Sequence, residues 1–256
     1  MSIMSWNYRG FGNPQTVRDF CRLVKVKKPE MVFLMETISR QSKMERIRCK
    51  LGFPNMLVVD CVGKSGGLAL LWNDDVGVEI QNYSCRHINA KVCLTPNKGF
   101  WKFTSFYGHP EANKRREAWG LLRYLVTMAP EPWIYLGDFN EILYVSEKLG
   151  GKDRHRGFME DFQSTLTNCN LMDLGYRGPK FTWNNGRDGE AFVQERLDRV
   201  VANEGWRAFF PKVDILVEGT LCSDHLPLFV TLHEDKRLGR NIHPFKHEAY
   251  SLLDDT

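Results

Sequence analysis

The sequence predicts an α/β protein built in layers around mixed β-sheets. Three observations carry that reading. Short apolar runs of strand length are interspersed with segments whose apolar residues recur at helical spacing. Between Met56 and Tyr107, five such runs follow one another with only turn signals between them, which a purely parallel, doubly wound sheet does not allow. Several apolar runs also end at, or start just after, side chains that bond strongly: Asn7, Glu36, Asp138 with Asn140, and Ser223-Asp224-His225. In layered α/β folds, groups at adjacent strand ends converge on one crevice.

The elements follow in order. Ser2 to Trp6 is a first strand, and Pro14 to Val26 a helix with Val17, Phe20, Cys21 and Val24 on one face. Glu30 to Met35 is a second strand, and Ser42 to Leu51 a basic amphipathic helix. The strands "NMLVVDCVG", "GGLALLW", "VGVEIQNY", "INAKVCL" and "WKFTSFYG" come next, with turns at Lys64-Ser65-Gly66-Gly67 and Pro96-Asn97-Lys98-Gly99. A helix from Lys114 to Met128 leads to the buried strand Trp133-Ile134-Tyr135-Leu136, and a helix spans Gly157 to Cys169. Phe181 to Asp198 reads as a hairpin, turning at Asn185-Gly186 or at Gly189. Val213 to Val217 is a further short strand, before the apolar run in "LCSDHLPLFVTL". From Lys236 the pattern is lost, so residues 1–235 are read as the domain and 236–256 as a tail or linker.

Bulk properties bound the function. The chain has 256 residues, 43% hydrophobic and 26% charged, enough to bury a sizeable core. A net charge of +4 permits a polyanionic partner without demanding one. Seven scattered cysteines without a C-x-x-C argue against a disulfide framework or zinc knuckle and for a reducing compartment. The N-terminus has no signal-peptide pattern, and no apolar run approaches the ~18 residues of a membrane span. A nuclear or cytoplasmic protein, not secreted and with no membrane partner, is expected.

Taken alone, Asp138 and Asn140 read as a turn, since both residue types bond their own backbone. Five comparable placements, including Asp198 among Leu197, Val200 and Val201, favour a site instead. The chemistry that suits it is metal-assisted phosphoester hydrolysis. Glu36 is the hard oxygen ligand that magnesium takes, and Asn7 can orient that carboxylate or approach the ion. Asp138 can hold and deprotonate a water while Asn140 fixes the geometry. An Asp198–His225 pair would keep the imidazole protonated beside charge developing on a phosphate.

"SWN", "MET", "SFYGHPE", "GDFNEIL", "FTWNN", "ERLDR" and "SDHLPL" together resemble the successive motifs of the endonuclease/exonuclease/phosphatase superfamily. The spelling is closest to the apurinic-endonuclease-like domain of plant LINE-type (non-LTR) retrotransposons, from about Ser2 to Leu232. The resemblance implies a four-layered α/β sandwich, two mixed β-sheets flanked by helices. It implies an endonuclease that uses Mg2+, or Mn2+, to nick duplex DNA and leave 3′-hydroxyl ends. By the same resemblance Glu36 holds the metal with Asn7 and Asp224 beside it, and Ser223 supports them. Tyr107 contacts the scissile phosphate or the attacking water, Asp138 activates the nucleophile, Asn140 holds the phosphate, and Asp198 and His225 form a dyad. A monomer is expected, with any reverse transcriptase region encoded separately or lost.

One departure stands out. Where the cellular repair branch has an aspartate, this chain has Arg9, which removes an anionic ligand, argues against abasic-site repair and can contact phosphate. Basic residues cluster at Lys114-Arg115-Arg116 and in a second loop, whose Lys152, Arg154 and Arg156 are candidate grips on the DNA backbone, or solvated charged surface. The 181–198 hairpin would probe a groove or be purely structural. A phosphatase acting on a phosphoinositide or other small phosphoester needs the same core residues and stays open, as does a folded but inactive relic.

Overall fold

The computed structural model describes residues 1–9, 11, 13–63, 65–93, 99–127, 131–220 and 223–233. The first half comprises β1 (Ser2–Asn7), α1 (Pro14–Lys27), β2 (Met31–Met35), α2 (Gln41–Leu51), β3 (Asn55–Val59), β4 (Leu68–Trp72), β5 (Gly77–Ser84), β6 (His87–Cys93) and β7 (Trp101–Tyr107). The second comprises α3 (Arg115–Val126), β8 (Trp133–Asp138), β9 (Lys148–Leu149), α4 (Arg156–Asn168), β10 (Met172–Asp173), β11 (Trp183–Asn184) and β12 (Gln194–Glu195). It closes with β13 (Asp198–Ala202), α5 (Glu204–Phe209), β14 (Val213–Val217) and β15 (Leu228–Leu232). Among the described residues, no helix is long and apolar enough to cross a membrane. The 236–256 tail, Lys64, Met128 and most of the 96–99 turn lie outside the described residues.

Two six-stranded sheets carry the domain, in the orders β14-β15-β1-β2-β4-β3 and β10-β13-β8-β7-β6-β5. In each, one parallel pair (β1 with β2, β7 with β8) lies at the centre and every other pairing is antiparallel. Strand periodicity explains the layers. Along β1 and β2, Ile3, Met31, Phe33 and Met35 point into the core between the sheets, where they meet Ile134, Leu136 and Val200. The alternate residues Met4, Trp6, Val32 and Leu34 face Phe20 and Val24 of α1 and Met44 and Ile47 of α2. On the second sheet Tyr135 and Val201 face Trp119 and Leu122 of α3 and Phe162 of α4. Helices, sheet, sheet, helices: the expected four-layered sandwich is the fold.

The first helix begins where its sequence signals place it. Asn13 caps α1 by accepting from the Gln15 N–H at 2.8 Å, with Pro14 at the first helical position. The Phe181–Asp198 segment forms the expected hairpin, β11 antiparallel to β12, but without the expected tight turn. β11 and β12 pair over two residues each, and neither Asn185-Gly186 nor Gly189 makes a tight turn between them. The intervening loop is wide because the Asn185 side chain staples it: Nδ2 donates to the Ala191 carbonyl at 2.8 Å, and Oδ1 accepts from the Val193 N–H at 3.1 Å. β9 joins β12 on its other edge, making a small third sheet.

Beneath that sheet lies a buried ionic network. Arg199, with a fully buried side chain, bonds Glu147 and Asp173 at 2.8 Å each, and Arg196 bonds the same two carboxylates at 2.9 Å. Burial works against both carboxylates, but the two guanidiniums hold them below the usual range.

Candidate active site

The topology brings the polar strand ends to one edge of the sandwich. β1 and β2 are parallel, so Asn7 and Glu36 leave the first sheet side by side. β7 and β8 are parallel with Tyr107 opposite Asp138, and antiparallel β13 begins with Asp198 opposite Asp138 from the other side. Antiparallel β15 runs back along β1, so His225, just ahead of it, lies near the end of β1. Each sheet thus supplies half of the site.

Asp138 is the centre. It is fully buried, and Oδ1 accepts from the Asn140 N–H at 2.7 Å while Oδ2 accepts from the Asn7 amide at 2.9 Å. Asn7 therefore orients Asp138, not Glu36 as one sequence reading had it. His225 Nδ1 bonds Asp198 Oδ2 at 2.8 Å, and its Nε2 lies 3.8 Å from Asp138 Oδ2. Burial and the neighbouring Asp198 charge push Asp138 up to about 7, opposed by His225 and the Asn7 hydrogen bond. Burial alone would lower His225, but the Asp198 and Asp138 carboxylates more than offset it and raise the ring to about 9. The imidazole is a buried cation between two aspartates.

Supporting contacts fix these groups. The buried Thr182 hydroxyl oxygen accepts from the N–H groups of Leu197 and Asp198 at 3.0 and 2.9 Å. The Trp6 indole donates to the His225 carbonyl at 2.9 Å, and the Ser223 hydroxyl to the Asn7 carbonyl at 3.1 Å. Tyr107 donates its hydroxyl to Glu36 Oε1, while the Arg86 guanidinium lies 5.0 Å from its ring centre. Burial and the Glu36 charge raise the phenol well above its ordinary value, so it stays a donor. Glu36 and Asn140 both hold left-handed backbone, φ 49° and 56°, a conformation that costs energy in residues with a side chain and collects at functional sites. The Asn140 amide donates to the Gly108 carbonyl at 3.1 Å.

A cleft of about 370 Å³ opens over this arrangement, lined among others by Arg9, Glu36, Tyr107, Asn140, Trp183 and His225. A larger groove of about 780 Å³ behind the second sheet, around Trp133, Tyr135 and Cys169, contains none of these groups. Chemistry, not volume, singles out the smaller cleft.

Two donor sets can be tested against a metal ion. Asp138, Asp198 and His225 place ligand-type atoms within 4.8 Å of one another. That trio fits an ion poorly, because Nδ1 is committed to Asp198 and the ring is cationic. Glu36, Asp224 and Asn7 offer only oxygen donors, as a hard divalent cation requires. Asn7 Oδ1 is buried with no hydrogen-bond partner among the described residues, as is Asp198 Oδ1, so both remain available to a bound group. The oxygen set fits.

The basic candidates divide. Arg9 lines the cleft. Arg154 does too, but its guanidinium is bonded to Glu195, with Nε at 3.0 Å. Lys152 is exposed, and Arg156 is exposed but bonded to Glu160 at 2.7 Å along α4. The Lys114-Arg115-Arg116 cluster is not a free basic surface. Arg115 is buried against Glu141 at 2.6 Å, Arg116 pairs with Asp161, and Lys114 with Glu111. Sequence reading missed Trp183 in the cleft wall, and Thr182 and Glu141 buried behind it, where they hold Asp198 and Arg115. The "FTW" run was visible, but not that Thr182 and Trp183 would reach Asp198 and Asp224.

Comparison with solved structures finds the same fold. An AP endonuclease from Archaeoglobus fulgidus superposes with a TM-score of 0.71 at 16% identity, covering 91% of this chain and 99% of that one. The 3′ phosphatase NExo from Neisseria, bound to product DNA hairpin, gives 0.68 at 17%, over 91% and 100%. The endonuclease domain of TRAS1, a telomere-specific non-LTR retrotransposon, gives 0.66 at 16%, over 92% and 99%. No curated protein sequence matches the chain. The sequence model of the Endonuclease/Exonuclease/phosphatase family matches residues 4–225, most of the chain with both halves of the site inside it; the protein belongs to that family.

Proposed function

We propose that the protein is a divalent-metal-dependent phosphodiesterase that nicks duplex DNA, leaving a 3′-hydroxyl and a 5′-phosphate. The observation that carries the reading is the buried Asp138–His225–Asp198 arrangement beneath an arginine-lined cleft. Asp138, raised toward neutrality, is suited to take a proton from a water positioned against phosphorus. His225, held cationic by Asp198, stabilises charge on a non-bridging phosphate oxygen. Asn140 and the Tyr107 hydroxyl orient the phosphate and the water. Glu36 and Asp224, with Asn7, would hold magnesium or manganese, and Ser223 steadies Asp224 and the end of β1. When bound, the ion neutralises phosphate charge and stabilises the departing oxygen. DNA as substrate is supported by the net positive charge and by the nucleases of the same fold.

The test is conversion of supercoiled plasmid to nicked circles with magnesium, followed by primer extension from the nicks by a DNA polymerase. Nicking abolished by chelation and steeply weakened by salt is expected. Extension from the nicks reports the 3′-hydroxyl. Release of phosphate from inositol phosphates, or from 3′-phosphorylated DNA ends, with plasmid left intact would replace the endonuclease by a phosphatase. Inactivity on all three would indicate a folded relic.

A further inference from the structure

Arg9 is held differently from the other arginines of the cleft. Arg115 and Arg154 are locked by direct hydrogen bonds to Glu141 and Glu195. Arg9, 66% exposed, rests between two carboxylates at longer range: Nε is 3.7 Å from Glu36 Oε2, and Nη1 is 3.9 Å from Asp224 Oδ2. The oxygens it faces are those a metal ion would need. Glu36 Oε1 already accepts from Tyr107, Asp224 Oδ2 from the Trp183 indole at 3.3 Å, and Asp224 Oδ1 from the Ser223 hydroxyl at 3.4 Å. Glu36 Oε2 has no other partner among the described residues, and it points at Arg9.

We propose that Arg9 is an exchangeable counter-cation: it neutralises Glu36 and Asp224 until a divalent ion takes their oxygens, then moves to a phosphate oxygen of the substrate. Guanidinium and ion cannot share the same side of Glu36, because like charges a few ångströms apart repel. The displaced arginine keeps a planar fork suited to phosphate, and its exposure leaves room to turn. Metal and DNA must then tighten each other's binding, by the same factor in both directions. The inference rests on Glu36 and Asp224 as the ion's holders, so its test must separate the two ideas.

Mn2+ is titrated and the free ion read by electron paramagnetic resonance, with and without a short phosphorothioate duplex that resists cleavage. The wild type, Arg9→Met, Arg9→Lys and Glu36→Gln are compared, with circular dichroism confirming each fold. Without DNA, Arg9→Met should bind Mn2+ about three- to ten-fold more tightly, the worth of one or two partly exposed ion pairs. DNA should tighten Mn2+ binding to the wild type, this gain should shrink in Arg9→Met to what direct attraction between ion and phosphate supplies, and Arg9→Lys should retain the competition. Unchanged Mn2+ affinity in Arg9→Met, with binding lost in Glu36→Gln, overturns the counter-cation while leaving the metal site in place. Undiminished binding in Glu36→Gln overturns both.

Discussion

Replacing Thr182 by valine changes a hydroxyl for a methyl of nearly the same shape, yet it should cost more than most core substitutions. The Thr182 oxygen is the partner of two buried backbone donors, the N–H groups of Leu197 and Asp198. Both would remain buried without an acceptor, and each such loss costs about 1–3 kcal/mol. The sum is about 2–6 kcal/mol, or roughly 4–24 °C in melting temperature for a domain of this size. Thr182→Ser keeps the oxygen and removes one methyl, a loss of about 1 kcal/mol. Urea denaturation of the two variants beside wild type measures the difference through the midpoint at constant slope. The loss should also reach the site, because Asp198 is held by that hydrogen bond and in turn holds His225. Turnover of Thr182→Val should fall below that of Thr182→Ser at a temperature where both are folded. If the valine variant is as stable as the serine one, the Thr182 oxygen does not carry these donors, and the account of how Asp198 is positioned is wrong.

Asp198→Asn and His225→Ala should each lower nicking by at least ~10²-fold without unfolding the chain, and the double variant should be little worse than either alone. Multiplicative losses in the nicking assay would separate the two residues. Gly137→Ala should express poorly or melt far below wild type, since φ is 141° and an added Cβ would lie 2.0 Å from the Phe106 carbonyl oxygen. A wild-type melting curve would rule out that close approach. His87, buried between Ser84 and the Asn82 side-chain oxygen, is lowered to about 4 by burial. Between that value and an unfolded value of about 6.5 the unfolded chain binds the extra proton, so this contribution to stability is complete above the window and lost as pH falls through it. Roughly 2 kcal/mol of acid sensitivity should disappear in His87→Gln, read from denaturation midpoints at pH 7 and pH 4.5.

What could be read in the chain was local. Asn7, Glu36, Asp138 and His225 are visible because a short apolar run and a polar residue at its end are adjacent in sequence, and the layered fold makes such ends meet. What pairs with what was not visible. The placement of Asp138 between Tyr107 and Asp198 is a matter of register between strands far apart in the chain. The Asn7 amide was read toward Glu36 because nothing local points it across the sheet interface to Asp138. Asn185-Gly186 carries a turn signal, but the Asn185 side chain spends its bonds on Ala191 and Val193 and opens the loop. β9, β11 and β12, two residues each, are too short to show any period. Arg115 looks like surface charge in a basic run, and only packing reveals the Glu141 carboxylate behind it.

The division of the site between two sheets bears on when the protein can become active during its synthesis. β1 is made before the other strands, yet its antiparallel neighbour β15 comes from residues 228–232, and His225 arrives with it. A nascent chain that has folded its earlier strands still lacks the cationic ring and the Asp224 carboxylate, and Asn7 still lacks the Ser223 hydroxyl at its carbonyl. A site built this way stays incomplete on the ribosome, because the segment that completes it emerges only after nearly all the other strands.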